Sequence, residues 1–287
     1  MDLNRERAGE PREVELLAPD LVRVPLRTFT IPPATRTNSF LLRGRARWWV
    51  VDLGSADETE LARIEEELRA RCGGWDNVGG LLLTHAHADH VAGVPWWRAK
   101  TDAPVYASRL CAAALAERGE AGVQELGEAA PPSRDGIAVI ETPGHARGHR
   151  AFMTPSGHVV CGDLIAGVGT VIIDPPDGDM SAYLASLERV AAFAPTGLHP
   201  AHGPSAADPV ERLRAFHAHR LDREARVDGA LSALPRGLAE ITARAYADVP
   251  VALHAFAARS CLAHLLRLEG LGRAERETEG GPWARSG

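Results

Sequence analysis

Within the six residues His85-Ala-His-Ala-Asp-His90, three imidazoles and one carboxylate stand within reach of a single point. Such a concentration of ligand-type side chains points to metal binding, against the alternative of a run of solvated or capping polar residues. The preceding Gly80-Leu-Leu-Leu-Thr84 reads as a short buried strand, so the cluster falls just past a strand end, where side chains can converge. A period of two puts His85 and His87 on one face and leaves Asp89 and His90 on the turn beyond. Imidazole and carboxylate ligands suit zinc, with manganese or iron as alternatives, and a site without thiolate keeps its metal Lewis acidic.

The stretch Thr84-His-Ala-His-Ala-Asp-His90 resembles the metal-binding motif of the metallo-beta-lactamase superfamily, and further matches follow in that family's order. Thr142-Pro-Gly-His145 resembles the second motif, Cys161-Gly-Asp163 the third and Ala201-His-Gly203 the last, while Val51-Asp-Leu-Gly54 resembles the early Asp-x-Gly strand end. Asp174-Pro-Pro-Asp-Gly-Asp-Met180, followed by Tyr183 and Ser186-Leu-Glu-Arg189, looks like the branch around beta-lactamase-like protein 2. The resemblance implies an α/β fold, a four-layer αββα sandwich with the metals at one edge. It also implies a ligand set: His85, His87 and His145 for one ion, Asp89, His90 and His202 for a second, and Asp163 bridging them. Two divalent ions so held lower the pKa of a shared water to about 7 and yield a hydroxide that attacks a polarised carbonyl or phosphoryl group. Asp89 is the catalytic candidate, holding the second ion and orienting that hydroxide.

Other residues near these motifs have supporting or packing roles. A strand-end carboxylate accepts several hydrogen bonds, so Asp52 is expected to fix the loop under the metals rather than to bind one. His149 either orients a ligand through a hydrogen bond or is a surface histidine opening the next strand. Many relatives carry Thr where this chain has Ala146, so a hydroxyl contribution is absent there. Cys161 reads as core beside the better-fitting Asp163, and Trp96-Trp97 reads as packing rather than cleft wall.

Element signals alternate. Trp48 to Leu53, Pro104 to Tyr106, Gly136 to Glu141 and His158 to Cys161 read as strands; Asp57 to Arg71 and Ser181 to Phe193 read as helices. Gly73-Gly74 stops the first helix. No element is read before Trp48. After Pro204 the pattern turns helical. Asp208 caps a helix to about Leu234, Pro235-Arg-Gly237 breaks it, Leu238 to Tyr246 starts a second, a third runs from Ala252 to Glu269, and Arg273 to Trp283 suits a β-wing. This resembles the winged-helix-like appendage of the same branch, His219-Arg-Leu-Asp-Arg-Glu224 included, and implies a catalytic domain over 1–204 and a small domain over 205–287. His217, His219, His254 and His264 lack a paired carboxylate pattern and read as core or surface.

A chain of 287 residues with 45% hydrophobic content can bury a large core. It has no apolar run of the roughly 18 residues needed to span a bilayer, and Met1 to Arg7 lacks an apolar signal region. Cys72, Cys111, Cys161 and Cys261 are widely spaced and read as reduced thiols, which together predicts a cytoplasmic protein. Residues 205–287 carry 12 Arg against 11 acidic residues, a net of +1, which leaves −7 for residues 1–204 of a chain at −6. Nucleic-acid readers show a basic face, and neither part supplies one on this count. The first reading is therefore metal-dependent hydrolysis of a small-molecule carbonyl substrate: a thioester, ester, lactone or amide. The second is cleavage of single-stranded RNA, on which relatives in this branch act; the third is a mononuclear iron dioxygenase of the persulfide type, using part of the same ligand set. Retention of Asp89, His90 and His202 favours two metals and hydrolysis, and a non-catalytic DNA-binding regulator comes last. Oligomeric state is not legible.

Overall fold

The computed structural model describes residues 9–127 and 130–287; the stretch Met1 to Arg7, read above for a signal, lies outside them. A seven-stranded sheet takes its strands in chain order: β1 (Glu15–Ala18), β2 (Leu21–Arg27), β3 (Arg36–Arg43), β4 (Trp48–Val51), β5 (Val78–Leu82), β6 (Val105–Ala107) and β7 (Gln124–Glu125). Pairing is antiparallel from β1 to β4 and parallel from β4 onward. Parallel neighbours need crossovers. These are α1 (Glu58–Cys72) after β4, the short α2 (Ala88–Val91) and α3 (Val94–Lys100) after β5, and α4 (Arg109–Glu117) after β6. The brief α5 (Pro131–Arg134) leads into a second sheet of β8 (Ala138–Glu141), β9 (Arg150–Met153), β10 (His158–Gly162) and β11 (Gly197–Pro200), with α6 (Met180–Ala192) crossing between the parallel pair β10 and β11.

Three buried clusters define the layers. Phe40, Leu42, Trp49, Val51, Leu82 and Tyr106 of the first sheet meet Phe152 and Val160 of the second, so the sheets pack face to face. The outer face of the first sheet packs Val24, Leu41, Val50 and Leu81 against Leu61, Ile64, Trp97 and Leu115 of the helices. The outer face of the second packs Val159 and Leu198 against Tyr183, Leu187 and Phe216. The order is α, β, β, α. Period-two alternation makes it possible, because each strand sends successive side chains to opposite faces and here both faces are covered.

Local signals account for most element ends. Asp57 caps α1 by accepting the Thr59 N–H at 2.8 Å, Leu61, Ile64 and Leu68 are its buried stripe, and Gly73 at φ 72° ends it. Asp179 caps α6 and Asp208 caps the long α7 (Pro209–Ala230) in the same way. Strands β2 and β3 went unread because Pro25 interrupts β2 and because β3 opens on Arg-Thr-Asn-Ser, neither of which resembles an alternating strand. Helix α7 also stops at Ala230, short of Leu234, where the backbone turns extended at Leu231.

Beyond α7 lie α8 (Leu238–Ala245), α9 (His254–Gly270) and the two-residue strands β12 (Ala274–Glu275) and β13 (Ala284–Arg285). The wing pairs antiparallel, and Trp283 forms a further bridge to Arg236. Val227, Ile241, Tyr246, Cys261, Leu265 and Trp283 make a separate core. Leu213 and Phe216 of α7 and Ala263 of α9 belong to the core of the second sheet instead. No helix among the described residues is long and apolar enough to cross a membrane. All four cysteines are free and buried.

Candidate metal centre

The end of β4 builds the floor of the site. Asp52 adopts the left-handed region at φ 53°, which short polar side chains tolerate. The next residue, Leu53, then bonds the turn holding the ligand cluster: its N–H donates to His90 O at 2.9 Å and its carbonyl accepts from Gly93 N–H at 2.7 Å. A Cβ on Gly54 would stand 1.8 Å from Asp89 O, so only glycine lets the two segments meet. Asp89 and His90 thereby lie on α2, while His85 and His87 remain in the loop before it.

Seven side chains from four segments converge. Ligand-type atoms of His85, His87 and His145 lie within 4.8 Å of one another, as do those of Asp89, His90 and His202 and those of His85, His90 and Asp163. In the first group His87 Nδ1 stands 2.9 Å from both His85 Nε2 and His145 Nε2. In the second, His202 Nε2 is 3.4 Å from Asp89 Oδ2. Asp163 lies between: Oδ1 is 3.5 Å from His90 Nε2 and 3.4 Å from His202 Nε2, and Oδ2 is 3.5 Å from His145 Nε2.

The nitrogens facing away from the cluster decide the tautomers. His145 Nδ1 donates to Ile172 O and His202 Nδ1 to Arg36 O, each at 2.9 Å. His90 Nδ1 donates to Asp52 Oδ2 at 2.8 Å. Thr84 gives its hydroxyl proton to Asp52 Oδ2 at 2.7 Å, so its oxygen accepts from His85 Nδ1 at 3.0 Å. Each of these four rings therefore turns its Nε2 inward, the orientation a metal requires of imidazole, and at His90 a cation would take the place of the proton that the carboxylates favour. Asp52 also accepts the Thr84 backbone N–H at 2.8 Å.

His149 is fully buried rather than a surface residue. Its Nδ1 bonds Thr142 Oγ1 at 2.8 Å, and its Nε2 accepts the backbone N–H of Asp163 at 3.1 Å. Burial, with His145 nearby, holds it well below the usual histidine range, and a neutral ring is what an accepting Nε2 needs. Gly162 serves the same contact, because at φ 51° a Cβ would stand 2.6 Å from His149 Nε2.

Charge and hydrogen bonding both suit cations. Burial, then the neighbouring His90 and His145, holds His85 well below its ordinary value, and similar forces bring His87 down to about 4. Burial works against charge on His90, yet the carboxylates of Asp163 and Asp52 draw positive charge to it and raise it well above the usual range. Burial likewise opposes ionisation of Asp163, but His202, His90 and His145 hold it well below the carboxylate range. His90 Nε2 and Asp163 Oδ1 are buried without a hydrogen-bond partner. Such orphaned atoms are costly unless something binds them, and a cation answers both.

The remaining candidates fall outside the cluster. Cys161 is fully buried core, its thiol pushed up by burial. Trp97 is fully buried and Trp96 packs beside it on Trp75. His217, His219, His254 and His264 belong to none of the ligand groups formed among the described residues. The supporting roles of Thr84, Thr142 and the Ile172 and Arg36 carbonyls were not read from sequence; only the two threonines, inside quoted motifs, left a signal there.

The profile of the Metallo-beta-lactamase superfamily matches residues 32–205, and that of the Beta-lactamase associated winged helix domain matches residues 238–283. A Beta-lactamase-like protein 2 homolog of Drosophila melanogaster is 25% identical over 257 residues, covering 83% of each chain. A hydroxyacylglutathione hydrolase of Thiobacillus denitrificans is 35% identical over 124 residues, 42% of this chain and 44% of that one. Among solved structures, a metallo-beta-lactamase family protein from Thermus thermophilus superposes with a TM-score of 0.74 at 23% identity, over 94% of this chain and 100% of that one. A protein crystallised in a di-iron-bound form is 30% identical, with a TM-score of 0.50, over 64% of this chain and 96% of that one. The chain belongs to the metallo-beta-lactamase superfamily and carries that family's associated winged-helix domain at its C-terminal end.

Proposed function

We propose that this protein is a metal-dependent hydrolase of small carbonyl substrates, thioesters first, with esters, lactones and amides in the same class. The observation carrying it is the placement of Asp163, whose two oxygens face two different groups of ligand-type nitrogens. In this reading His85, His87 and His145 would hold one ion, Asp89, His90 and His202 would hold another, and Asp163 would serve both. Two divalent ions, zinc first on ligand chemistry with manganese or iron as alternatives, would supply an acidified water and Lewis acidity toward a carbonyl oxygen.

The chain's own groups do the rest. Asp52 and Thr84 lock the rings of His90 and His85, and His149 fixes the backbone from which Asp163 projects. Asp89, only partly buried, faces His202 through Oδ2 at 3.4 Å and His90 through Oδ1 at 4.0 Å, and its carboxylate would accept a hydrogen bond from the attacking water and aim its lone pair at the substrate. Residues 1–204 act as the catalytic unit and residues 205–287 as its helical support.

Hydroxyacylglutathione, the substrate class in the name of one relative, is a thioester, which favours that carbonyl class. A mononuclear dioxygenase would leave the Asp89, His90 and His202 group without a purpose. RNA cleavage is the second reading, disfavoured by a net charge of −6. The deciding experiment is a parallel assay of acyl thioesters, lactones and labelled single-stranded RNA on metal-loaded protein, with Asp89→Ala as contamination control. Thioester turnover that vanishes in the variant is expected. Metal-dependent RNA cutting without any carbonyl turnover would overturn the assignment.

A further inference from the structure

The segment joining β10 to α6 touches both the ligand cluster and the C-terminal helices. Ile172 O accepts the Nδ1–H of His145 at 2.9 Å. The N–H of that same peptide unit belongs to Ile173, and it donates to Ser260 Oγ on α9 at 3.2 Å. A trans peptide points its C=O and N–H in opposite directions, so this one plane is gripped by His145 on one side and Ser260 on the other. The preceding peptide is held too. Arg220 on α7, 2% exposed, donates through Nη2 to Val171 O and, at 2.9 Å, to Thr170 Oγ1. Its guanidinium lies over the Tyr183 ring, 5.2 Å from the ring centre.

We propose that Arg220 and Ser260 are positioning residues for His145, acting from the C-terminal helices through the peptide planes at Val171–Ile173. The inference rests on the reading of His145 as a metal ligand. Without Ser260 the 172–173 plane can rotate about its flanking bonds and Ile172 O leaves the Nδ1–H direction. The His145 ring then loses both its orientation and the tautomer that exposes Nε2. The serine also polarises the peptide, so its carbonyl accepts more strongly and Nε2 becomes a better donor. The C-terminal part thereby contributes to the first ion's affinity without touching it.

The test titrates cobalt(II) into full-length protein stripped of metal, following the visible spectrum and chelator competition. A second readout is proton exchange at His145 Nδ1 in zinc-loaded, imidazole-labelled protein by NMR. The variants are Ser260→Ala, Arg220→Met and Arg220→Lys. The control, Arg223→Met, removes a guanidinium on the same helix that bonds Ala245 O at 2.6 Å and Asp248 at 2.8 Å rather than the Val171–Ile173 segment. Ser260→Ala and Arg220→Met should weaken one of the two cobalt sites about tenfold and speed exchange at His145. Arg220→Lys should recover part of the loss, and Arg223→Met should lower only the melting temperature. Unchanged affinity and exchange in Ser260→Ala and Arg220→Met would overturn the proposal, as would an equal loss in Arg223→Met, which would make the effect one of general stability. A wild-type protein that takes up no cobalt would overturn the metal centre itself, an outcome told apart because no variant is involved.

Discussion

Asp52 Oδ2 and His90 Nδ1 meet at 2.8 Å in the interior, with both side chains almost wholly buried. The carboxylate has no route to solvent, so its charge is balanced by what it holds: two bonds from Thr84 and one from His90.

Asp52→Asn keeps the shape and removes the charge. Hydrogen bonds to a buried ion are worth about 1.5–3 kcal/mol each, and loss of a ligand's orienting partner typically costs 10–100-fold in metal affinity. Chelator competition should show a loss of that size at the Asp89, His90 and His202 group, with the melting temperature falling as well. Unaltered metal affinity would mean that His90 does not depend on Asp52.

Asp163→Ala and His202→Ala should each abolish most hydrolysis while far-UV circular dichroism stays near native, because the ligands sit on loops over an intact sandwich. Full activity in both variants would exclude a shared-carboxylate centre.

Gly162→Ala is expected to do more harm than its size suggests. Its added methyl would press on His149 Nε2, and moving that ring leaves the Asp163 N–H buried without an acceptor, at about 1–3 kcal/mol. His149→Phe should lose metal for the same reason. Denaturant melts and elemental analysis of both variants check this, and native metal content in either counts against the role given to His149.

Acid should loosen the C-terminal core through Asp248. A side-chain hydrogen bond from Arg223 holds its carboxyl down at about 2. A depressed folded value means stability that is present above the unfolded value of about 3.9 and lost as pH falls through about 2. The side chain is 46% exposed, so solvent screening keeps the contribution below about 1 kcal/mol. Asp248→Asn should flatten stability against pH between about 4 and 2, lying below the wild type at neutrality by at most about 1 kcal/mol and meeting it near pH 2. An identical acid limb in the variant would assign that limb to other carboxylates.

Much of the candidate cluster is legible in the chain because it is built from side chains of ligand type, which stand out by residue identity. His85, His87, Asp89, His90, His145, Asp163 and His202 converge from four separate segments. The acceptors behind them are less visible. Ile172 and Arg36 act through carbonyls, which every residue owns, so no residue type announces them. His149 stayed ambiguous for a related reason: a histidine opening a strand looks the same whether its ring turns inward or out. Caps and glycines gave the helices, whereas β2 and β3 escaped because burial on both faces and an internal proline erase the alternation that marks a half-exposed strand.

Helix α7 begins in one core with Leu213 and Phe216 and ends in another with Val227 and Ala230. A rigid rod shared in this way couples the melting of its two ends. Heating should produce one calorimetric transition instead of two, and a fragment ending at residue 204 would bare the apolar face that Leu213, Phe216 and Ala263 now cover. Grafting another appendage onto this sandwich would have to bring its own version of that helix.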